Sequence, residues 1–419
     1  MADTPYFLTS FDPNYYVQGS RDPLGLQTVW VTSGRRLIRH LSTVSTSVTD
    51  FKILCLARHV CTANGDTSFS NFFPFLYRFE QACAYARHFV DPRDNSFNGI
   101  ERVRNMDSSK VRFPVSDVDK KCFLLSNQRS YGVYGKYFRP FTDIGMERMP
   151  QFPGVMENVI NRSADPASLR RLIKRLFEAG RMKSVSVSKE ELGNLSSMLK
   201  TRSAEENDFY ISALLKTRQH EPGLQNSFYD LLCVHPELLP CNDSKNENFF
   251  TFLRTAKVAS SDPDLDMVFD DVEYTEQILY PLHALFAYFL NERPTWTDAD
   301  LEKDPFFQQG FNKVPLDRLI LAGPTDRDDP RQSFNDWLEE SISPAQRVRY
   351  LVQRNREVSE RRGKLPWVRE ESGRFIILNK GARPPKEITQ QVDSNFSYFI
   401  PSYLGLFTEL KAAPPAGEA

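Results

Sequence analysis

Between Ser70 and Val90 the residues Phe72, Phe73, Leu76, Phe79, Cys83 and Ala86 recur at spacings of one, three and four. That rhythm stripes one face of a helix with apolar side chains and commits the segment to packing against other helices. It returns along much of the chain. Ser45 to Val60 reads as a helix. Asp165-Pro166-Ala167-Ser168 sets a capping carboxylate before a first-turn proline, and Leu169, Leu172, Ile173, Leu176 and Phe177 then trace a stripe ending near Gly180. Ser188 to Lys200, Asp208 to Lys216, Asn248 to Lys257 and Tyr274 to Leu290 also fit helices. The expected fold class is mainly α and multi-domain, because one core seldom grows beyond ~250 to 300 residues and this chain has 419.

Small β-hairpins interrupt the helices. Lys110 to Val115 and Cys122 to Leu125 read as two strands separated by the polar segment Ser116 to Lys121. Trp367 to Leu378 reads as two more, joined near Ser372-Gly373. From Glu292 to Pro330 prolines and acidic residues crowd together, as in an irregular connection. The expected organisation is a mixed helical N-terminal domain over 1–150, a helical middle domain over 151–291 and an acidic connecting region over 292–342. A basic helix plus hairpin over 343–411 and a disordered tail over 412–419 complete it.

Fifty-three basic and 54 acidic side chains leave a formal charge of -1, and an apolar fraction of 40% with 12% aromatics is enough to bury a core. The longest apolar run, Tyr280 to Leu290, falls short of the ~20 residues a membrane helix needs. The N-terminal residues show no secretory signal, so a cytoplasmic chain with no membrane association is expected. Six cysteines without regular spacing predict no structural disulfide. Charge is nonetheless segregated, at +5 over residues 1–150 and -9 over 251–350. Either the two surfaces complement each other within the molecule, or the basic one meets a polyanion or an acidic partner.

The most legible stretch begins at Ser343-Pro344-Ala345-Gln346, which combines a capping serine, a first-turn proline and a glutamine able to complete a capping box. A helix should run to about Arg362, with Gly363 as its C-terminal cap and Pro366 beyond. Arg347, Arg354 and Arg361 form one row and Arg349 and Arg356 a second, while Val348, Leu351, Val352 and Val358 face the core. With Arg362 and Arg369, this helix and the hairpin after it resemble the recognition helix and wing of a winged-helix domain, which would bind DNA. The alternative is that these arginines pair with the acidic 262–340 region.

Tyr131, Tyr134 and Tyr137, with Arg129, Lys136 and Arg139, offer rings to stack bases and cations to hold phosphates, although helical spacing of this kind more often marks a core stripe. Asp117, Asp119 and Lys121 are the nuclease candidates, two carboxylates for Mg2+ and a lysine to orient water or phosphate. Arg35 and His40 match a spacing of HEPN-type ribonucleases, but at a frequency that chance supplies. Cys55, His59 and Cys61, and likewise Cys233, His235 and Cys241, fall short of a four-ligand zinc site, so neither a metal nor a cofactor is expected. Phosphate-binding, dinucleotide-binding, nucleophile-elbow and zinc-protease motifs are missing.

Arg21-Asp22-Pro23-Leu24-Gly25-Leu26-Gln27, with Trp30, Gly34-Arg35, Asn127-Gln128 and the Tyr-Gly-x-Tyr-Gly-x-Tyr stretch, resembles uncharacterised bacterial proteins found near antiphage defence genes. The resemblance implies a subunit working beside separately encoded helicases, ATPases or nucleases, and assigns no functional residue. The reading adopted is a non-catalytic subunit that uses the 343–386 helix and hairpin to bind DNA or to dock onto an acidic surface of a DNA-processing partner. A metal-dependent nuclease and a purely structural scaffold are the alternatives.

Overall fold

The computed structural model describes residues 22–66, 69–94, 96–106, 109–179, 184–217, 223–239, 249–308, 342–380 and 398–412. In chain order the elements begin with α1 Gln27–Leu37, α2 Val48–Ala63, α3 Phe72–Val90, α4 Ile100–Arg104, β1 Arg112–Val115, α5 Gln128–Tyr131 and α6 Val133–Ile144. They continue with α7 Phe152–Asn161, α8 Pro166–Glu178, β2 Val185–Ser188, α9 Lys189–Lys200, α10 Ala204–Tyr210 and α11 Gln225–Val234. The remainder are α12 Phe249–Ala259, α13 Pro263–Glu292, β3 Thr295–Thr297, α14 Asp298–Lys303, α15 Pro344–Arg361, β4 Val368–Glu371, β5 Arg374–Ile377 and α16 Ile400–Ala412. The described residues are mainly helical, with two small antiparallel sheets among them. Among the described residues no helix is long and apolar enough to cross a membrane.

Two compact units emerge, each assembled from separated stretches of chain. The first joins Met1–Leu37 to Cys241–Tyr398, and the second joins Ile38–Pro240 to Phe399–Ala419. The divisions expected after 150, 291, 342 and 411 do not coincide with these, because α1 packs on α13 and α16 packs on α2. Residues 413–419, and 309–341 of the acidic connecting region, lie outside the described residues.

In the first unit the 30-residue α13 is the central support. Asp262 caps it and Pro263 opens it, so it starts well before Tyr274, where the apolar stripe alone placed it. Ser33 of α1 and Thr275 of α13 share a buried hydroxyl bond of 3.1 Å, and Arg36 pairs with Asp271. Glu276, fully buried, accepts the Tyr398 hydroxyl at 2.8 Å. The stretch after Glu292 is less irregular than expected. It supplies β3 and α14, and its Trp296, Leu301, Phe306 and Phe307 are core residues. Trp296 is fully buried and donates its indole N–H to the Phe289 carbonyl at 2.9 Å.

The second unit is built around α3, whose Phe72, Phe75 and Phe79 are inaccessible to solvent. The hairpin expected within 110–125 does not form. β1 instead pairs antiparallel with β2, Phe113 opposite Val187, and Lys120–Cys122 is a 3-10 turn capped by Asp119. The tyrosine stripe does not lie on one helix, since Asn127 caps α5 and the extended backbone of Gly132 separates it from α6. A Cβ at Gly132 would lie 2.5 Å from the Gln128 carbonyl and 2.8 Å from the Glu80 carboxylate. A π-helical turn at Ile211–Leu215 extends α10. Lys52, buried in α2, donates to the Met198 and Thr201 carbonyls at 3.0 and 2.8 Å and pairs with Glu206 at 2.8 Å.

Asp50 and Glu80, buried inside this unit, have carboxyl groups pushed above their ordinary range. Burial pushes Asp50 up to about 6 against the pull of Arg87 and of the Tyr137 hydroxyl. Burial likewise pushes Glu80 up to about 7, opposed by hydrogen bonds from the Val133 amide and Gln128. Both hold a proton in the folded state at a pH where the unfolded chain has lost it. Their contribution to stability is therefore greatest in acid and fades as pH rises through about 4 to 7. Asp50→Asn should flatten the fall in Tm between pH 4 and pH 7, measured by thermal denaturation; an unchanged slope would contradict this account.

Candidate nucleic-acid interface

The helix read from Ser343 is present as α15, with a complete capping box between Ser343 and Gln346. Gly363 follows it at φ +62°, the left-handed conformation that ends helices at low cost in a glycine. Val348, Leu351, Val352 and Val358 are buried, as their spacing implied. Beyond them Ser372 and Gly373, at φ 50° and 75°, form the tight turn between β4 and β5. β3 adds to the outer edge of β5, giving the order β3-β5-β4, with Trp296 opposite Phe375.

The solvent face of α15 is a strip about 140° wide carrying Gln346, Arg349, Tyr350, Gln353, Arg356, Glu357, Glu360 and Arg361, all exposed or half-buried. The two arginine rows mark its borders. Along one border, Arg349 reaches Asp298 at the start of α14 at 2.7 Å and Glu370 of β4 at 2.5 Å. It also lies over the Phe375 ring at 5.1 Å. Such exposed pairs are worth about 0 to 1 kcal/mol and are exchanged easily for other anions. Arg356, on the same border, is half-buried.

Along the other border the expectation of a free row fails at its centre. Arg354 is only 8% exposed and donates its Nε to the Leu24 carbonyl at 3.0 Å. Asn355 beside it donates to the Pro23 carbonyl at 2.9 Å, and Arg362 reaches the Asp22 carbonyl at 2.5 Å and its carboxylate at 3.1 Å. The Asp22 carboxylate accepts the Leu26 and Gln27 amides at 2.8 and 3.2 Å and so caps α1. Gly25 turns the chain at φ +68°, where a Cβ would stand 3.0 Å from Val358. The described part of the Arg-Asp-Pro-Leu-Gly-Leu-Gln motif is thus a backbone strap held by α15. Burial lowers the pKa of Arg354, and of Arg347 at the same border. Arg361 is exposed and donates to the Glu357 carbonyl at 3.2 Å; Arg369 pairs with Glu371 at 2.9 Å.

The other sequence candidates are scattered. Asp117 pairs with Arg78 at 2.6 Å, while Asp119 accepts the Lys121 amide at 2.9 Å, which leaves the Lys121 side chain exposed. Among the described residues no group of three or more His, Cys, Asp or Glu side chains could hold a metal ion. Of the three tyrosines, Tyr131 is exposed and Tyr134 half-buried, but Tyr137 is 2% exposed and packs on Phe51 at 4.9 Å. It hydrogen-bonds Asp50 and is removed from the stacking set. Sequence reading missed Tyr350 and Gln353, although both fall four residues or fewer from an arginine already singled out.

Gly25→Ala should destabilise the first unit by about 1 to 2 kcal/mol, the cost of a side chain in the left-handed region. Thermal denaturation measures it, and an unaltered Tm would mean that the strap is not held as described. Comparison of the chain with family models, with curated proteins and with solved structures finds no match.

Proposed function

We propose that the segment from the C-terminal part of α13 to β5 is a winged-helix module, and that the chain is a non-catalytic DNA-binding subunit. The observation that carries this is that, among the described residues and leaving 309–341 aside, helix, strand, helix, helix and hairpin follow in that order, with the early strand β3 beside β5 rather than beside β4. In a winged helix the helix before the hairpin enters the major groove and the hairpin flanks it. Here those parts are α15 and β4–β5. Tyr350 and Gln353 occupy the middle of the solvent face, where base edges would be met, and Arg356 and Arg361 stand at its borders, where phosphates would lie. Arg349 can leave Asp298 and Glu370 for a phosphate at small cost. Arg354 has no place in the interface and belongs to the strap.

The resemblance to proteins near antiphage defence genes supports a role as one component beside a separately encoded enzyme. A duplex-binding titration by fluorescence anisotropy tests the reading. Wild type should bind duplex DNA with an affinity that falls as salt rises, by about 0.9 log units per log unit of salt for each phosphate contacted. Arg356→Glu with Arg361→Glu should weaken binding at least tenfold with Tm unchanged. Absence of duplex binding at low salt, or indifference to this double substitution, would remove the proposal.

A further inference from the structure

A second surface, wholly within the second unit, has different chemistry. Phe73 and Tyr77 stand one turn apart on α3 and are half-buried. Gly132 lets α5 and α6 come close beside them, with Glu80 buried beneath and holding the Val133 amide at 2.8 Å. The Tyr134 ring meets Phe73 at 4.7 Å and Phe138 at 4.7 Å, and Phe123 lies 6.4 Å from Tyr77. Tyr131, on α5, is 45% exposed, and among the described residues its ring has no aromatic partner. Phe73, Tyr134 and Phe138 are thus one connected group of rings and Tyr77 with Phe123 a second, and both groups, like the separate Tyr131, stand partly in water.

Cations surround these rings while most nearby carboxylates turn away. The Arg129 guanidinium lies 5.3 Å over Phe73. Arg102, which donates to the Phe123 carbonyl, is exposed, as are Lys120 and Lys121 just before Phe123. Asp94 is taken by Arg87 at 2.9 Å, Asp117 by Arg78 at 2.6 Å and Asp119 by the Lys121 amide at 2.9 Å. Glu101 on α4 stays outward. The surplus on this face is positive.

We propose that this face binds single-stranded nucleic acid, its bases stacking on Tyr131 and the adjoining rings and its phosphates meeting Arg102, Lys121 and Arg129. Charge complementarity selects a polyanion. The exposed rings select a single strand, because a duplex hides its base faces in its own stack, whereas an unpaired base of any identity offers a π-face. The contact should be tolerant of sequence. It is also independent of α15, so one surface can fail without the other.

The test is anisotropy with the full chain, a labelled oligothymidylate of about 15 nucleotides and a duplex of the same length. Tyr131→Ala should weaken single-strand binding about tenfold, consistent with ~1 to 3 kcal/mol per stacked base, and leave duplex binding unchanged. Tyr131→Phe should retain binding, since the ring and not the hydroxyl is used. Arg129→Ala should reduce single-strand affinity and its salt dependence together. Single-strand binding that is indifferent to both alanine variants would overturn the inference. So would an absence of single-strand binding at low salt, including the case in which the face captures a protein instead.

Discussion

The indole of Trp296 governs the geometry of the first unit. A strand of three residues has little stability of its own, and a two-stranded hairpin is marginal in water. Burying Trp296 against Phe289, at 6.0 Å, and Phe307, at 5.5 Å, fixes β3 where its backbone can pair with β5. Because side chains alternate along a strand, Trp296 facing inward sets the outward direction of Thr295 and Thr297 and the register of Phe375. The hairpin is then joined to α15 by Asn355, which accepts the Trp367 amide at 2.8 Å. The solvent face of α15 is positioned by this chain of contacts, none of which involves a residue on that face.

Features encoded locally were legible in the sequence. The Ser343 capping box, the Gly363 terminus, the Ser372-Gly373 turn and the four buried aliphatic residues of α15 each depend on neighbours within a few positions. Trp296 was not legible, because its short strand lies among acidic residues and acquires its meaning only from β5. The pairing of β1 with β2 is missed for the same reason. Gly132 makes room for the Glu80 carboxylate and for the Gln128 carbonyl four residues before it, a fit that no local pattern announces. Its second effect, breaking the helix, went unread, and with it the different fates of Tyr131 and Tyr137. Arg354 illustrates the limit of periodicity, which locates a row of arginines but not the Leu24 carbonyl that removes one of them.

Charge segregation along the sequence is partly resolved inside the molecule. Arg36 of the basic 1–150 segment pairs with Asp271 of the acidic 251–350 segment. Within the second unit, Lys52 and Glu206 form a buried ion pair, which Arg162 joins from the surface, and Lys52 also donates to two backbone carbonyls. Removing one partner from such a group is costlier than the group is worth, because the remaining charge stays desolvated. The cations left on the α15 borders and around Tyr131 are those for which such internal arrangements are weaker or exposed.

The last helix has a consequence for synthesis on the ribosome. Glu409 of α16 accepts the Val48 amide at 2.9 Å and pairs with Arg202 at 2.9 Å, both contributed by chain made long before it. While translation proceeds, the start of α2 and the Arg202 guanidinium must wait for a clamp that emerges only after the intervening 241–398 stretch. The second unit begins to fold early and closes late. In that interval its apolar seat for α16 is open, which makes the nascent chain a client for chaperones.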